Sequence, residues 1–161
     1  MSLKNSLIKT ILMLLILAVP SIAGTAPGKD AQKKAESWLA LVDSAQYEAS
    51  WEQASELFRS RIEKSQWVKI ITSVRTSFEK LRSRKLKNAS FMTSLPGAPD
   101  GRYVVLRFET SFKKKKSAEE TVTTMEEGGQ WKVSGYFIDS LFARKPLISI
   151  LIVSHKLCWT P

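Results

Sequence analysis

The hydrophobic periodicity of this sequence changes near Arg84. Before that residue, apolar side chains recur at every third or fourth position, which is the spacing of one face of a helix. After it, apolar and polar side chains alternate, most clearly at 103–112, and clusters of Gly, Pro and Asp separate the alternating runs. This order predicts an α+β domain, with three N-terminal helices packed on a curved, cone-like sheet of four antiparallel strands.

The predicted elements fill residues 31–140, which we interpret as a single domain. Ser65 is the predicted N-cap of the third helix, and Gly128-Gly129 is the predicted hairpin turn between the last two strands. The helices are expected at 31–43, 48–63 and 65–81, and the strands at 85–95, 103–112, 119–126 and 131–138.

The N-terminus has the three-part pattern of a secretory signal peptide. Lys4 and Lys9 precede an apolar run at 11–19, and Pro20 is followed by small residues that end at Ala23. A charged start, a short apolar centre and a small-residue end are the features that export and cleavage require. We therefore expect residues 1–23 to be removed by cleavage after Ala23, leaving a bacterial periplasmic or secreted protein.

A retained membrane anchor is the alternative interpretation of this segment. A spanning helix needs about 20 apolar residues, whereas Lys9 and Pro20 bracket only about half of that length. A lipoprotein would require a cysteine directly after the small residues, and none is present there. Residues 24–30, rich in small residues and proline, are expected to form a linker to the folded domain.

The formal net charge of +10 raises the question of an anionic partner, either nucleic acid or a membrane surface. Export directs this expectation toward anionic envelope surfaces rather than nucleic acid, which an exported protein rarely meets. Lys113–Lys116 fit such contact, although lysines also protect hairpin tips against aggregation. The sequence therefore favours a solvated basic surface that aids solubility, with contact to an anionic envelope surface as the alternative. Homo-oligomer formation stays open.

Few residues in the sequence suit metal or nucleophilic catalysis. The one His and the one Cys, His155 and Cys158, both lie in the C-terminal tail. Metal sites and Ser-His-acid arrangements need several such groups to converge. We therefore expect no metal, cofactor or catalytic constellation.

Large aromatic side chains recur on the predicted inward faces. They could line a pocket for a small apolar ligand, or they could simply form the core. These residues are Trp38, Trp51, Trp67, Phe108, Trp131 and Phe137.

Three segments of the chain, 35–62, 93–110 and 120–138, include the motifs SLPGAPDGRYVV and WKVSGYF. Together they resemble the bacterial family known as domain of unknown function 4019. The resemblance implies a small exported protein. The order of elements is also similar to the nuclear transport factor 2-like fold, in which helices cover a bent sheet and leave a conical pocket.

The resemblance leaves two functions open. The leading hypothesis is an exported, non-enzymatic binding or accessory domain. The alternative is a small enzyme, because some proteins of the nuclear transport factor 2-like fold use a carboxylate inside the cone as a general base. A buried acid without a cationic partner would favour the enzyme.

Residues 141–161 do not fit the pattern of the rest of the chain. This tail contains a continuous apolar run at 147–153 between basic residues. We expect it to be an appendage that adds little stability and promotes self-association when exposed.

Overall fold

The computed structural model describes residues 27–139 of the chain. The helices are α1 (Pro27–Asp43), α2 (Tyr47–Glu52), α3 (Glu56–Arg61) and α4 (Lys64–Phe78). The strands are β1 (Leu81–Met92), β2 (Tyr103–Phe112), β3 (Ala118–Glu127) and β4 (Gln130–Asp139). Helices followed by strands confirm the α+β class.

The four strands form one antiparallel sheet in the order β1-β2-β3-β4. Irregularities in register interrupt the β1–β2 and β3–β4 pairings, and such bulges bend a sheet. The helices cover one face, which on β2 carries alternate buried residues from Val104 to Phe112. Gly128 and Gly129, both with positive φ, form the β3–β4 turn as predicted.

The predicted second helix is two helices, α2 and α3. The backbone N–H of Ser55 donates to the carbonyl of Val133 on β4, at 2.8 Å. The Ser55 hydroxyl accepts a hydrogen bond from the N–H of Phe58 at 3.1 Å and so caps α3. The hydrogen bond from Ser55 to the sheet thus interrupts the helix that periodicity alone predicted to be continuous.

The third predicted helix is displaced at both ends. Glu63, rather than Ser65, is the N-cap of α4. The helix stops at Phe78 because Glu79 has a φ of 60°. Leu81, whose helical spacing from Phe78 was misleading, is instead the first residue of β1.

The first helix begins at Pro27, inside the predicted linker 24–30. Proline suits the first position of a helix because its fixed φ is helical and no N–H is needed there. No helix among residues 27–139 is long and apolar enough to cross a membrane. The predicted signal peptide, 1–23, and the tail, 141–161, lie outside the described residues.

Aromatic rings fill the space between the helices and the sheet. The ring centroids of Trp38 and Trp67 are 5.7 Å apart, and those of Trp38 and Tyr136 are 5.5 Å apart. Phe58 contacts Trp67 edge-on at 5.1 Å. Both indole N–H groups are satisfied, since Trp38 donates to the carbonyl of Ser50 and Trp67 donates to its hydroxyl. This region is a close-packed core.

Candidate functional site

A fully buried carboxylate, Glu120, lies beside the aromatic core. Its Oε1 accepts a hydrogen bond from the Tyr136 hydroxyl at 2.6 Å. Its Oε2 accepts hydrogen bonds from the Thr110 hydroxyl at 2.8 Å and from Arg84 Nε at 2.6 Å. Both carboxylate oxygens are therefore engaged by fixed donors.

Asp43 completes this arrangement as a second carboxylate. Arg84 donates from its two terminal nitrogens to Asp43, at 2.6 and 3.1 Å, and Arg75 forms an ion pair with the same carboxylate. Arg75 Nη1 also lies 3.7 Å from Glu120 Oε1. The resulting ion network contains two guanidinium groups and two carboxylates, so its formal charge is zero.

The four charged residues come from four different elements. Asp43 ends α1 and Arg75 lies in the last turn of α4. Arg84 on β1 is opposite Thr110 on β2, and Glu120 on β3 faces the same side of the sheet. Strand alternation and the two helix ends thus place these side chains together.

Burial in the ion network changes two pKa values. Burial, reinforced by the charge of Glu120, raises the pKa of the Tyr136 hydroxyl well above its ordinary value of 10.0. Burial also lowers the pKa of the Arg75 guanidinium below its ordinary value. Tyr136 is therefore a protonated donor at neutral pH, and its role at Glu120 is to hold the carboxylate in place.

A group of basic side chains lies at the adjacent end of the sheet. We call it the basic end, and it consists of Lys80, Arg82, Lys113, Lys114, Lys115 and Lys116. All but Lys115 are exposed. The N–H of Lys113 donates to the carbonyl of Lys80 at 2.9 Å, which fixes the β2–β3 loop beside the start of β1.

Glu79 forms ion pairs with two of these lysines. Its carboxylate oxygens lie 2.9 Å from Lys113 Nζ and 2.7 Å from Lys114 Nζ. Hydrogen bonds from Lys114 and Lys113 lower the pKa of Glu79 below its ordinary value of 4.5. A groove of about 760 Å³ runs from these ion pairs to Asp43 and Arg75, and so joins the basic end to the ion network.

The six aromatic residues that the sequence singled out do not share one environment. Trp38, Trp67 and Phe108 are buried in the core. Trp51 and Trp131 are partly buried against it. Trp131 also contributes to a separate depression, lined by Arg102, Glu126 and Gln130 among others.

Phe137 lies on the opposite face of the sheet from the core. Trp131 and Val133 point inward, but the register shift between Thr123 and Thr124 inserts an extra residue into β4. Tyr136 therefore takes the inward position that strict alternation gave to Phe137.

Sequence reasoning missed the ion network. In the sequence, Asp43 stands at the end of the first predicted helix, where solvation or capping is the usual role of a carboxylate, and Glu120 is one of many acidic residues. One signal was available, because Glu120 is two residues before Val122 and so shares its inward face. Among residues 27–139, no group of three or more His, Cys, Asp or Glu side chains could hold a metal ion.

Comparison with known proteins identifies a family for this sequence. A search of the curated proteins found no match. The sequence does match the family described as Protein of unknown function (DUF4019) over residues 34–136, a range that runs from α1 to the inward Tyr136 of β4. The match covers more than half of the chain, and the chain therefore belongs to this family.

Proposed function

We propose that this protein is an exported, non-enzymatic accessory domain whose basic end binds the anionic phospholipid surface of a bacterial envelope. The observation that carries the proposal is the concentration of six cations at one end of the sheet, five of them exposed. Basic residues near an anionic membrane contribute about 1 kcal/mol each. Several simultaneous contacts would therefore retain the protein at such a surface.

The filled interior supports a surface partner over a small apolar ligand. Trp38, Trp67 and Tyr136 occupy the region where a conical pocket was expected, with centroid separations of 5.5 to 6.2 Å. All three side chains are essentially inaccessible to solvent. An apolar ligand would have to displace close-packed rings.

The ion network supports a non-enzymatic role. A general base needs a lone pair that can reach a substrate proton. Glu120 accepts three hydrogen bonds, is completely buried and faces two arginines. It thus lacks the feature that favoured an enzyme, which was a buried acid without a cationic partner.

We assign the nuclear transport factor 2-like architecture as part of the same proposal. Helices on one face of an antiparallel sheet, together with bulges that bend it, support this assignment. In this chain the cone would be filled by its own aromatic side chains.

Export is part of the proposal and rests on the pattern at 1–23. This segment contains Lys4 and Lys9 and no acidic residue, so its removal lowers the net charge of +10 by two, to +8. The mature chain would therefore stay strongly basic. N-terminal sequencing of the secreted protein should begin at Gly24, and an intact Met1 in a membrane fraction would instead indicate an anchor.

Membrane binding is tested by sedimentation of the mature chain with lipid vesicles. We expect it to sediment with vesicles containing phosphatidylglycerol and to stay in solution with pure phosphatidylcholine. Binding should weaken as the salt concentration rises from about 0.01 M to about 1 M, because the Debye length falls from about 30 Å to about 3 Å. Equal binding to both vesicles, or none to either, would contradict the proposal.

A further inference from the structure

Glu79 has a backbone conformation that suits glycine better than glutamate. Its φ is 60° and its ψ is −155°, a combination that is strained for a residue with a side chain. Its N–H donates to the carbonyl of Arg75, so it ends α4 as a glycine could. The helix end by itself therefore gives no reason for glutamate at this position.

The carboxylate of Glu79 supplies that reason, because it occupies a site formed by two lysines. Lys113 and Lys114 each bind one of its oxygens, at 2.9 and 2.7 Å. The N–H of Lys114 donates to the carbonyl of Phe78, which holds the lysine pair next to Glu79. The site therefore holds an anionic group with two oxygen acceptors even before any ligand arrives.

The surroundings of this site have cationic charge in excess. Lys80, Lys113 and Lys114 carry three positive charges against the single negative charge of Glu79, whereas the ion network below them is neutral. Arg75 lines the same groove with only 7% of its side chain exposed. Its buried Nη1 faces Glu120 at 3.7 Å, within the ion network. The volume of about 760 Å³ is within the range of small-ligand sites.

We propose that this groove is a binding site for a phosphate group and that Glu79 is its internal competitor. Inorganic phosphate offers more acceptor oxygens and more negative charge than a carboxylate, so it suits two ammonium groups better. The phosphodiester of a lipid headgroup equals the carboxylate in charge and in free oxygens, so it can replace Glu79 at the same two lysines. On binding, the phosphate would form the ion pairs with the two lysines and release the Glu79 side chain. This inference rests on the proposed function, because it identifies the group on the anionic surface that the basic end recognises.

Calorimetric titration of the mature chain with inorganic phosphate, and separately with phosphatidylglycerol vesicles, tests the proposal. Glu79→Gln removes the competitor and should strengthen phosphate binding by about tenfold, or about 1.4 kcal/mol. The double variant Lys113→Gln/Lys114→Gln should lose phosphate binding. Its melting temperature should change little, since exposed ion pairs contribute little stability.

Two variants control for overall charge. Glu109→Gln removes an exposed carboxylate from the opposite face of β2, and Lys85→Gln/Lys87→Gln removes two exposed cations from β1. Both should leave phosphate binding within about twofold of the parent, which is a change of only a few tenths of a kcal/mol. If Glu109→Gln strengthens binding as much as Glu79→Gln does, the effect is one of net charge and the inference is wrong.

The two titrations distinguish failure of this inference from failure of the proposed function. Vesicle binding that Glu79→Gln does not change, together with no phosphate binding, would overturn the inference alone. Phosphate binding that Glu79→Gln strengthens, without vesicle binding, would support the site, assign it to soluble phosphates and overturn the membrane proposal. No binding of either ligand would overturn both.

Discussion

The ion network and the basic end lie next to each other but differ in their balance of positive and negative groups. In the network, Arg75 and Arg84 face Asp43 and Glu120, and every charge has an opposite partner. At the basic end, five lysines and one arginine surround a single glutamate, Glu79, with which two of the lysines pair. The ion network is therefore electrically neutral, whereas the basic end has an excess of positive charge at the surface.

The two regions also differ in the type of basic residue, which is arginine in the ion network and mainly lysine at the basic end. Arg84 is able to bind two carboxylates at once because its guanidinium presents donors in a fixed planar fork. Lysine is a compact, strongly hydrated charge on a flexible stem, which suits contact with solvent and mobile anions. We infer that stability resides in the network and core, whereas binding resides at the basic end. The two properties should therefore respond to different substitutions.

The largest effect is expected from Trp67→Ala in the core. The Trp67 side chain is fully buried and contacts three other aromatic rings, so its removal leaves a cavity. The free energy of unfolding should fall by about 3–5 kcal/mol, as measured by urea denaturation. Phe91→Ala is the control, because Phe91 is 52% exposed and should cost far less. Equal losses for the two variants would contradict the core assignment.

Glu120→Gln should have the next largest effect. The substitution keeps the shape of the side chain but leaves Arg84 and Arg75 with only Asp43 to balance them. Breaking a buried ion pair on one side costs about 3 kcal/mol or more. Glu109→Gln, on the exposed face of β2, should change the free energy of unfolding by less than about 0.5 kcal/mol. If Glu120→Gln has the same free energy of unfolding as the parent, the ion network is not needed for stability.

Alkaline pH should have a smaller effect, acting through Tyr136. Its pKa is raised in the folded state, so it favours folding fully below its unfolded pKa of about 10. That contribution is lost as the pH rises from about 10 toward the folded pKa, because the unfolded chain then ionises first. Tyr136→Phe should flatten this decline in urea denaturation above about pH 10. If the free energy of unfolding of Tyr136→Phe falls with pH as steeply as that of the parent, other groups cause the decline.

Acid pH should act in the opposite direction through Glu79. Its pKa is lowered in the folded state, so its stabilising contribution is present above about 4.5 and is lost as the pH falls through the folded value. Glu79→Gln should therefore weaken the acid dependence of the melting temperature only slightly, because the two lysines that pair with Glu79 are exposed. If the parent and the variant melt in parallel below about pH 4.5, the Lys113 and Lys114 ion pairs do not contribute to stability.

The smallest effect is expected from a chain that ends at Ser140. We predict that removing 141–161 leaves the melting temperature unchanged and reduces self-association in light scattering, since its apolar run would no longer be available to other chains. A lower melting temperature without better monodispersity would instead make the tail an integral part of the domain.

Much of the fold could be predicted because its signals are local. The alternation from Val104 to Phe112 identifies the inward face of β2. The helical spacing of Ala35, Trp38, Leu39 and Val42 identifies that of α1. The break between α2 and α3 could not be predicted, since it depends on a hydrogen bond between Ser55 and Val133, which are distant in sequence.

The ion network could not be predicted for a similar reason. Asp43, Arg75, Arg84 and Glu120 are far apart in sequence, and only the register of three strands and the ends of two helices bring them together. Each residue alone is typical of a solvated surface. A single bulge in β4 likewise placed Tyr136, rather than the expected Phe137, at Glu120.

The separation of stability from binding can be measured on two variants side by side. Lys113→Gln/Lys114→Gln/Lys116→Gln should lose binding to phosphatidylglycerol vesicles and keep the parent melting temperature, because its side chains are exposed. Tyr136→Phe should melt at a lower temperature, since Glu120 loses a donor, and should bind the vesicles as the parent does. The opposite pattern, with binding lost in folded Tyr136→Phe and retained in the lysine variant, would contradict the assignment of binding to the basic end.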